Sequence, residues 1–474
     1  MTYFNWFKKL INILIELFFV AAILSTLYVF TSLFQGTTRI IIFIGIVIVF
    51  GLLVYFLRNK VKKILSELIK SIEDVDTKKL LLIIVIMLVV LKIAYSIFYS
   101  FDATQDGDIE IYNEIANQIV ATGVLHSDAI AHLFGMAIHL ALFKFINLPI
   151  HIGMFIVLSI GIIVNFFSFK DIIGKEKAFI VTMLYIIMPS TMFLTFCPTH
   201  EVFLFTYISL FIFIYNKLLK EEKLSKNIFY CLLSILLTVL ACMINPSGYI
   251  LWIIMGLSIL LSKLALKKKI IVLIVLLLSI LGTNLINKAL EVDEHVTSLN
   301  TYTILIHGSN KNSLGEQVDG YPLREMRMYI KDVSNDWSDE GFLDAGKNVL
   351  INQYKDLLTH PIDLLKLIVH KTYILWSGNH YAIEMAYNAG ALSNITYYLY
   401  LGFNGLIYLL VLTIGFTYAK KKDDEIYISN YKLVLLGCIA ITLLSVVLNK
   451  YSLYVTMFIY LISFYKIDVD DNKH

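Results

Sequence analysis

Apolar runs long enough to cross a lipid bilayer recur along the whole of this 474-residue chain, and no other feature limits its fold as severely. A helix needs roughly 20 apolar residues to traverse the hydrocarbon, and only helices or closed barrels can satisfy their backbone there. Such runs fall at 10–33, 39–57, 80–99, 150–169, 178–195, 201–216, 227–244, 248–263, 269–287, 393–418, 430–448 and 450–466. They predict an all-α polytopic membrane protein with about twelve transmembrane helices. A composition of 58% hydrophobic and 16% charged residues agrees. The first run is long for a secretory signal core and no small-residue cleavage site follows it, so it reads as a retained span.

Short cytoplasmic loops collect Lys and Arg, and this decides the orientation. The linker 58–79, with Arg58, Lys60, Lys62, Lys63 and Lys70, is placed inside, so the acidic stretch after the third span is outside. A further apolar stretch, 129–147, would place every later basic turn outside if it crossed (Lys175 and Lys177, Lys223 and Lys226, Lys267 to Lys269, Lys420 to Lys422). It also carries His132, His139 and Lys144, which are costly at mid-bilayer. It therefore reads as a partly embedded helix, which returns those turns to the cytoplasm and leaves both termini inside. Four regions follow: 1–79, a two-span hairpin with the basic linker; 80–287, a transmembrane module with a first outer loop at 100–149; 288–392, a large extracytoplasmic loop; and 393–474, a three-span bundle with a cytoplasmic tail. Cys231, Cys242 and Cys438 lie in apolar runs and Cys197 near the end of one, so no disulfide framework or metal spacing is visible.

The chemistry is expected in the first outer loop. Residues 101–128 hold Asp102, Asp106, Asp108, Glu110, Glu114 and Asp128 with no Lys or Arg among them. Ile111, Tyr112, Ile115, Ala116, Ile119 and Val120 share one helical face, Glu110, Asn113, Glu114, Asn117 and Gln118 take the other, and Gly123 stands where the helix would stop. This predicts an acidic turn feeding an amphipathic helix along the membrane surface. Asp108 alone could simply cap that helix, but so many acids in a base-free loop are more than capping requires. Glu201 opens an otherwise apolar span. His132 and His139 share a face of the embedded helix and could meet donor phosphate or lipid headgroups.

In the large outer loop, Arg324 and Arg327 are spaced to share a helix face, and a guanidinium grips phosphate in two-pronged fashion. Pairing with nearby acids is the alternative. The segment HPIDLLKLIVHKTYILWSGNHY suits an interfacial helix, on which His370 and Lys371 could meet phosphate or Lys371 could snorkel to headgroups. Asn245 to Gly248 read as a tight turn. No phosphate-binding glycine loop, HExxH, GxSxG or CxxC pair appears, and anionic lipid explains the basic loops better than nucleic acid does.

In layout the chain resembles the C-type (GT-C) integral-membrane glycosyltransferases. The residues that carry the likeness are Asp108, Tyr112 and Ala116 ahead of an embedded helix, and then Pro189, Pro198, His200 and Glu201 just outside a later span. It is most similar to the protein-mannosyltransferase-like branch that uses polyprenyl-phosphate sugars, whose long outer loop ends in a Lys-then-Trp surface helix, as at Lys371 and Trp376. The resemblance covers roughly residues 80–420. It implies a GT-C-like fold with amphipathic surface helices in two extracytoplasmic loops, and transfer of a sugar, with inversion, from a polyprenyl-phosphate donor to an extracytoplasmic hydroxyl on a cell-wall polymer, glycolipid or protein. The first-loop Asp would be the general base, and Asp108 and Asp106 both fit. Glu201 would orient the acceptor or, with Asp108, hold a weakly bound Mg or Mn, although the second motif reads Thr-His-Glu rather than a carboxylate pair. Arg324, Arg327, Lys371 and His370 would meet the donor phosphate, and His200, Tyr112, His132 and His139 would line the pocket. The implied setting is a bacterial plasma membrane with the site on its outer face.

Two other readings are a polysaccharide polymerase or ligase of the cell envelope, and a flippase or transporter of lipid-linked saccharides. A polymerase would rely on basic residues of the large loop. A transporter would place polar groups near mid-membrane, whereas here they gather in two loops.

Overall fold

The computed structural model describes residues 3–31, 34–99, 107–123, 131–290, 294–376, 380–417, 426–445, 447, 452–465 and 467. The chain begins with three apolar helices, α1 (Asn5–Val29), α2 (Gly36–Glu73) and α3 (Thr77–Phe98). Two shorter ones follow, α4 (Gly107–Thr122) and α5 (Ala131–Phe145). Then come α6 (Ile150–Ile173), α7 (Lys175–Ile186), α8 (Pro189–Phe193), α9 (His200–Lys220), α10 (Leu224–Ile244), α11 (Ile250–Leu261) and α12 (Leu266–Ala289). The large loop contains α13 (Glu294–Gly308), α14 (Tyr321–Tyr329), α15 (Asp339–Thr359), α16 (Pro361–Trp376) and α17 (Tyr381–Asn388). Last are α18 (Asn394–Thr417), α19 (Ile426–Leu444) and α20 (Thr456–Tyr465).

Among the described residues, nine helices (α1, α2, α3, α6, α9, α10, α12, α18 and α19) are long and apolar enough to cross a membrane. The expected run at 178–195 is broken. Helices α7 and α8 meet at 67°, with Pro189 opening α8, where its missing N–H could not have continued α7. The runs at 248–263 and 450–466 appear as the shorter apolar helices Pro246–Leu261 and Thr456–Tyr465. Asn245 makes the expected turn, its side chain accepting the Ser247 N–H at 2.8 Å.

Helix α9 is the most enclosed span, with 78% of its apolar window buried. Helix α1 is also built into the bundle rather than standing apart with α2. It packs on α16, α18 and α19, Phe18 meets Trp376 edge-on at 4.6 Å, and the Tyr3 hydroxyl donates to Asn430 Oδ1 at 3.2 Å. Helix α2 buries none of its apolar window and runs unbroken into the basic linker. An apolar cleft of ≈ 730 Å³ separates it from α18.

The polar first half of the large loop is not extended chain. Helices α13, α14 and α15 enclose a small core of their own, made of Ile306, Met326, Ile330, Ala345 and Val349. This domain seats on the C-terminal end of α19, where Tyr354 donates to the Leu444 carbonyl at 3.0 Å and Val447 N–H donates to Gly315 O at 3.1 Å.

Candidate active site

Helix α4 buries most of the strip its periodicity predicts, with its edges shifted. Ile109, Tyr112 and Ala116 are buried while Ile111 and Val120 are exposed, because α4 packs against α5 instead of lying along a lipid surface. Its asparagines are engaged as well: Lys144 of α5 donates to Asn113 Oδ1 and, at 2.6 Å, to Asn117 Oδ1. Gly135 lets α5 approach α10 closely, since a Cβ there would lie 2.1 Å from the Met243 carbonyl oxygen. One turn on, His139 Nδ1–H donates to Gly135 O at 2.7 Å and Nε2 accepts from the Tyr207 hydroxyl at 2.5 Å. Both imidazole nitrogens thus have partners within the protein, and the ring pins α5 to α9.

These contacts bring the two sequence motifs together. The Tyr112 hydroxyl lies 3.5 Å from His200 Nδ1, and His200 Nε2 lies 2.9 Å from Glu201 Oε1. Tyr112, His200 and Glu201 are 1%, 6% and 1% exposed. A carboxylate so buried needs hydrogen-bonding or charged company, and Glu201 also sits in the first turn of α9, where the helix dipole favours an anion. Tyr454, which hydrogen-bonds Ser247, is close enough to interact electrostatically with Glu201. Position 108 falls within α4 one turn before Tyr112, on the same face of the helix. Asp106 lies outside the described residues, as do the side chains of Asp108 and His132. Among the described residues no group of three or more His, Cys, Asp or Glu converges as a metal site.

Sequence reasoning passed over Lys92. It lies in α3 about 9 Å from the C-terminal end and is 4% exposed. Its ammonium donates to Thr195 Oγ1 at 2.8 Å and sits 3.5 Å from the centroid of the Phe196 ring. No described carboxylate pairs with it. Thr195 and Phe196 belong to the 3-10 turn Leu194–Phe196 that leads from the bend toward Thr199, His200 and Glu201. Nearby, Tyr95, Tyr99, Phe193 and Tyr400 interlock edge to face, and the Tyr99 and Tyr400 hydroxyls lie 2.6 Å apart. A lone Lys in an apolar span was the available signal.

The phosphate candidates of the large loop have other surroundings. Arg324 and Arg327 are exposed on α14, with Arg324 3.8 Å from Glu325. His370 pairs with Glu316 at 2.6 Å. Lys371 is 1% exposed rather than snorkelling. It donates to the carbonyls of Leu443 at 2.8 Å, Ser445 at 2.7 Å and Thr442 at 3.4 Å, satisfying orphan groups at the end of α19. Gly315, with φ of 85°, permits this, because a Cβ there would lie 2.3 Å from Lys371 Cε. Burial pushes the Lys371 ammonium down to about 7 from the ordinary 10.5.

By its spans and its enclosed polar cluster, the chain is a multi-pass helical membrane protein. No protein-family model matches it, and no curated protein does. It is similar to two crystal structures of ArnT from Cupriavidus metallidurans. For the form bound to undecaprenyl phosphate the identity is 12% and the TM-score 0.35, over 81% of this chain and 77% of that one. For the apo form the identity is 10% and the TM-score 0.31, over 80% and 77%. Scores at this level leave function to be argued from the chain's own residues.

Proposed function

We propose that the protein is an integral-membrane glycosyltransferase that moves a sugar from a polyprenyl-phosphate donor to an extracytoplasmic hydroxyl. The observation that carries this reading is the junction of α4 with α9, which sets Tyr112 beside His200 and Glu201 in an apolar surround. Position 108 stands one turn before Tyr112 on α4, so the first-loop motif and the α9 motif meet at this junction.

In this reading Asp108, or Asp106, takes the proton of the acceptor hydroxyl as its oxygen attacks the anomeric carbon. The bond from that carbon to the phosphate oxygen breaks, polyprenyl phosphate leaves, and the configuration inverts. Glu201, beside His200, orients the acceptor, and the Tyr112 hydroxyl faces the imidazole. The departing phosphate needs a cation, and Lys92, buried without a described carboxylate partner, is the first choice. Arg324 and Arg327 are secondary candidates because they sit at the exposed surface, and His370 is one because it is already paired with Glu316. Lys371 has the structural task of closing the end of α19. The basic loops favour this outer placement of the site by the positive-inside rule.

The test is sugar transfer by membranes containing wild type, Asp108→Asn or Asp106→Asn at matched protein levels, with a panel of radiolabelled polyprenyl-phosphate sugars. One variant is expected to lose transfer by about 10²–10⁴-fold and the other to be only weakened. Wild type that consumes no donor, or two fully active variants, would defeat the reading and favour a polymerase or flippase.

A further inference from the structure

The α13–α15 domain contains a cleft of ≈ 400 Å³ that the transfer chemistry above does not use. Amides, tyrosines and an acid shape it: Asn310, Asn352, Gln353, Tyr321, Tyr329 and Asp332. Several of these groups are already fixed. Gln353 Nε2 donates to the Tyr321 hydroxyl at 2.9 Å, and its Oε1 accepts from Ser309 Oγ at 2.6 Å. Asn310, 3% exposed, has its Oδ1 engaged by the Asn312 backbone N–H at 2.9 Å, which leaves the amide –NH₂ to donate elsewhere.

The electrostatics narrow the ligand. Lys311 is cancelled by Asp356 at 2.6 Å, Glu325 is partly offset by Arg324 at 3.8 Å, and Asp332 has no described ion pair. The cleft is therefore acidic on balance and repels phosphate or carboxylate ligands. The amides fixed at Asn310 and Gln353, the exposed Asn352 and a carboxylate beside tyrosine rings match one kind of molecule well, a neutral polyhydroxylated ring. Its vicinal hydroxyls can donate to carboxylate and amide oxygens and accept from amide N–H, while its C–H face lies on an aromatic ring. Groups fixed beforehand also reduce the ordering cost of binding. The volume lies toward the lower end of small-molecule sites, about 300–1,000 Å³, which suits one or two sugar units.

We infer that this cleft binds a neutral saccharide, and that the saccharide is part of the acceptor. The second half rests on the transferase reading; the first does not. The experiment is isothermal titration of the full chain, in a detergent without a sugar headgroup, with the disaccharides of glucose, mannose, galactose and N-acetylglucosamine. Glycerol phosphate is the anionic control. Asn352 and Asp332 are exposed on the rim, so Asn352→Ala and Asp332→Ala leave the domain core intact. At least one disaccharide is expected to bind, each variant is expected to weaken it by about tenfold, and glycerol phosphate is expected not to compete. A panel that yields no binding, variants that bind as wild type does, or effective competition by glycerol phosphate would overturn the inference. Donor consumption by a chain that binds no panel sugar overturns this inference and leaves the transferase reading standing. Saccharide binding by a chain that consumes no donor supports the cleft and defeats the transferase reading.

Discussion

Two groups of polar side chains in this molecule have opposite surroundings. Tyr112, His200 and Glu201 are shut into an apolar bundle, none more than 6% exposed. The α13–α15 cleft opens to solvent through an exposed rim that includes Asp332 and Asn352, above a core of five buried residues. In the bundle a low local dielectric makes each charge count heavily, for or against. At the surface, water competes for every hydrogen bond, so selectivity there must come from many modest contacts. Bond-breaking belongs in the first setting and recognition in the second.

Several substitutions would break or sharpen that contrast. The largest effect after the first-loop aspartates is expected from Glu201→Gln, with transfer falling by about 10²-fold as the acceptor is misplaced. A rate measured at saturating acceptor checks it, and unchanged transfer would leave Glu201 as an interfacial residue. Lys92→Met should lower kcat/KM for donor by about 10- to 100-fold, the scale of one charged hydrogen bond. The same change should leave Tm unchanged or raise it, because replacing a buried charge with an apolar group relieves desolvation. A fall in Tm with transfer intact would make Lys92 structural.

Lys371→Met should destabilise the joint between α16 and the end of α19 by about 2–3 kcal/mol, read as a lower Tm. Its pH dependence has a definite sign. Burial lowers the Lys371 value from 10.5 to about 7, so between those values the unfolded chain holds a proton that the folded chain has released. This group then makes stability rise with pH across that window. Melting curves of wild type and Lys371→Met at about pH 7 and pH 9 should therefore diverge, wild type gaining at the higher pH. The smallest effect is expected from Arg324→Ala with Arg327→Ala, within about 0.5 kcal/mol in stability and with little change in transfer. A large loss of transfer would move the donor phosphate to the surface domain and dissolve the contrast.

Much of the bundle was legible in the sequence because length and apolarity alone define a span. What escaped depended on partners distant in the chain. The apolar run across 178–195 is continuous, so the bend at Pro189 left no mark in hydropathy. The buried face of α4 was read correctly at Tyr112 and Ala116 but too widely at Ile111 and Val120, because α5, not lipid, covers it. Lys92 stood in plain view, yet its partner Thr195 is 103 residues away. Tyr112 and the neighbouring His200 and Glu201 could each be singled out, but nothing local said that Tyr112 would meet His200, 88 residues away. The core of α13–α15 is drawn from residues too scattered for any one of its helices to advertise it.

The bonds that tie the surface domain to α19 have a mechanical consequence. The domain cannot tilt away from α19 without breaking the Tyr354–Leu444 and Val447–Gly315 bonds, and Gly315 packs against Lys371, which holds α16 to the same end of α19. Under the proposed function, anything seated in its cleft would be presented at one height relative to α19. Reach, and not swing, would then determine which hydroxyl of a bound molecule could meet the first-loop acid, so the length of the bound molecule would act as a ruler.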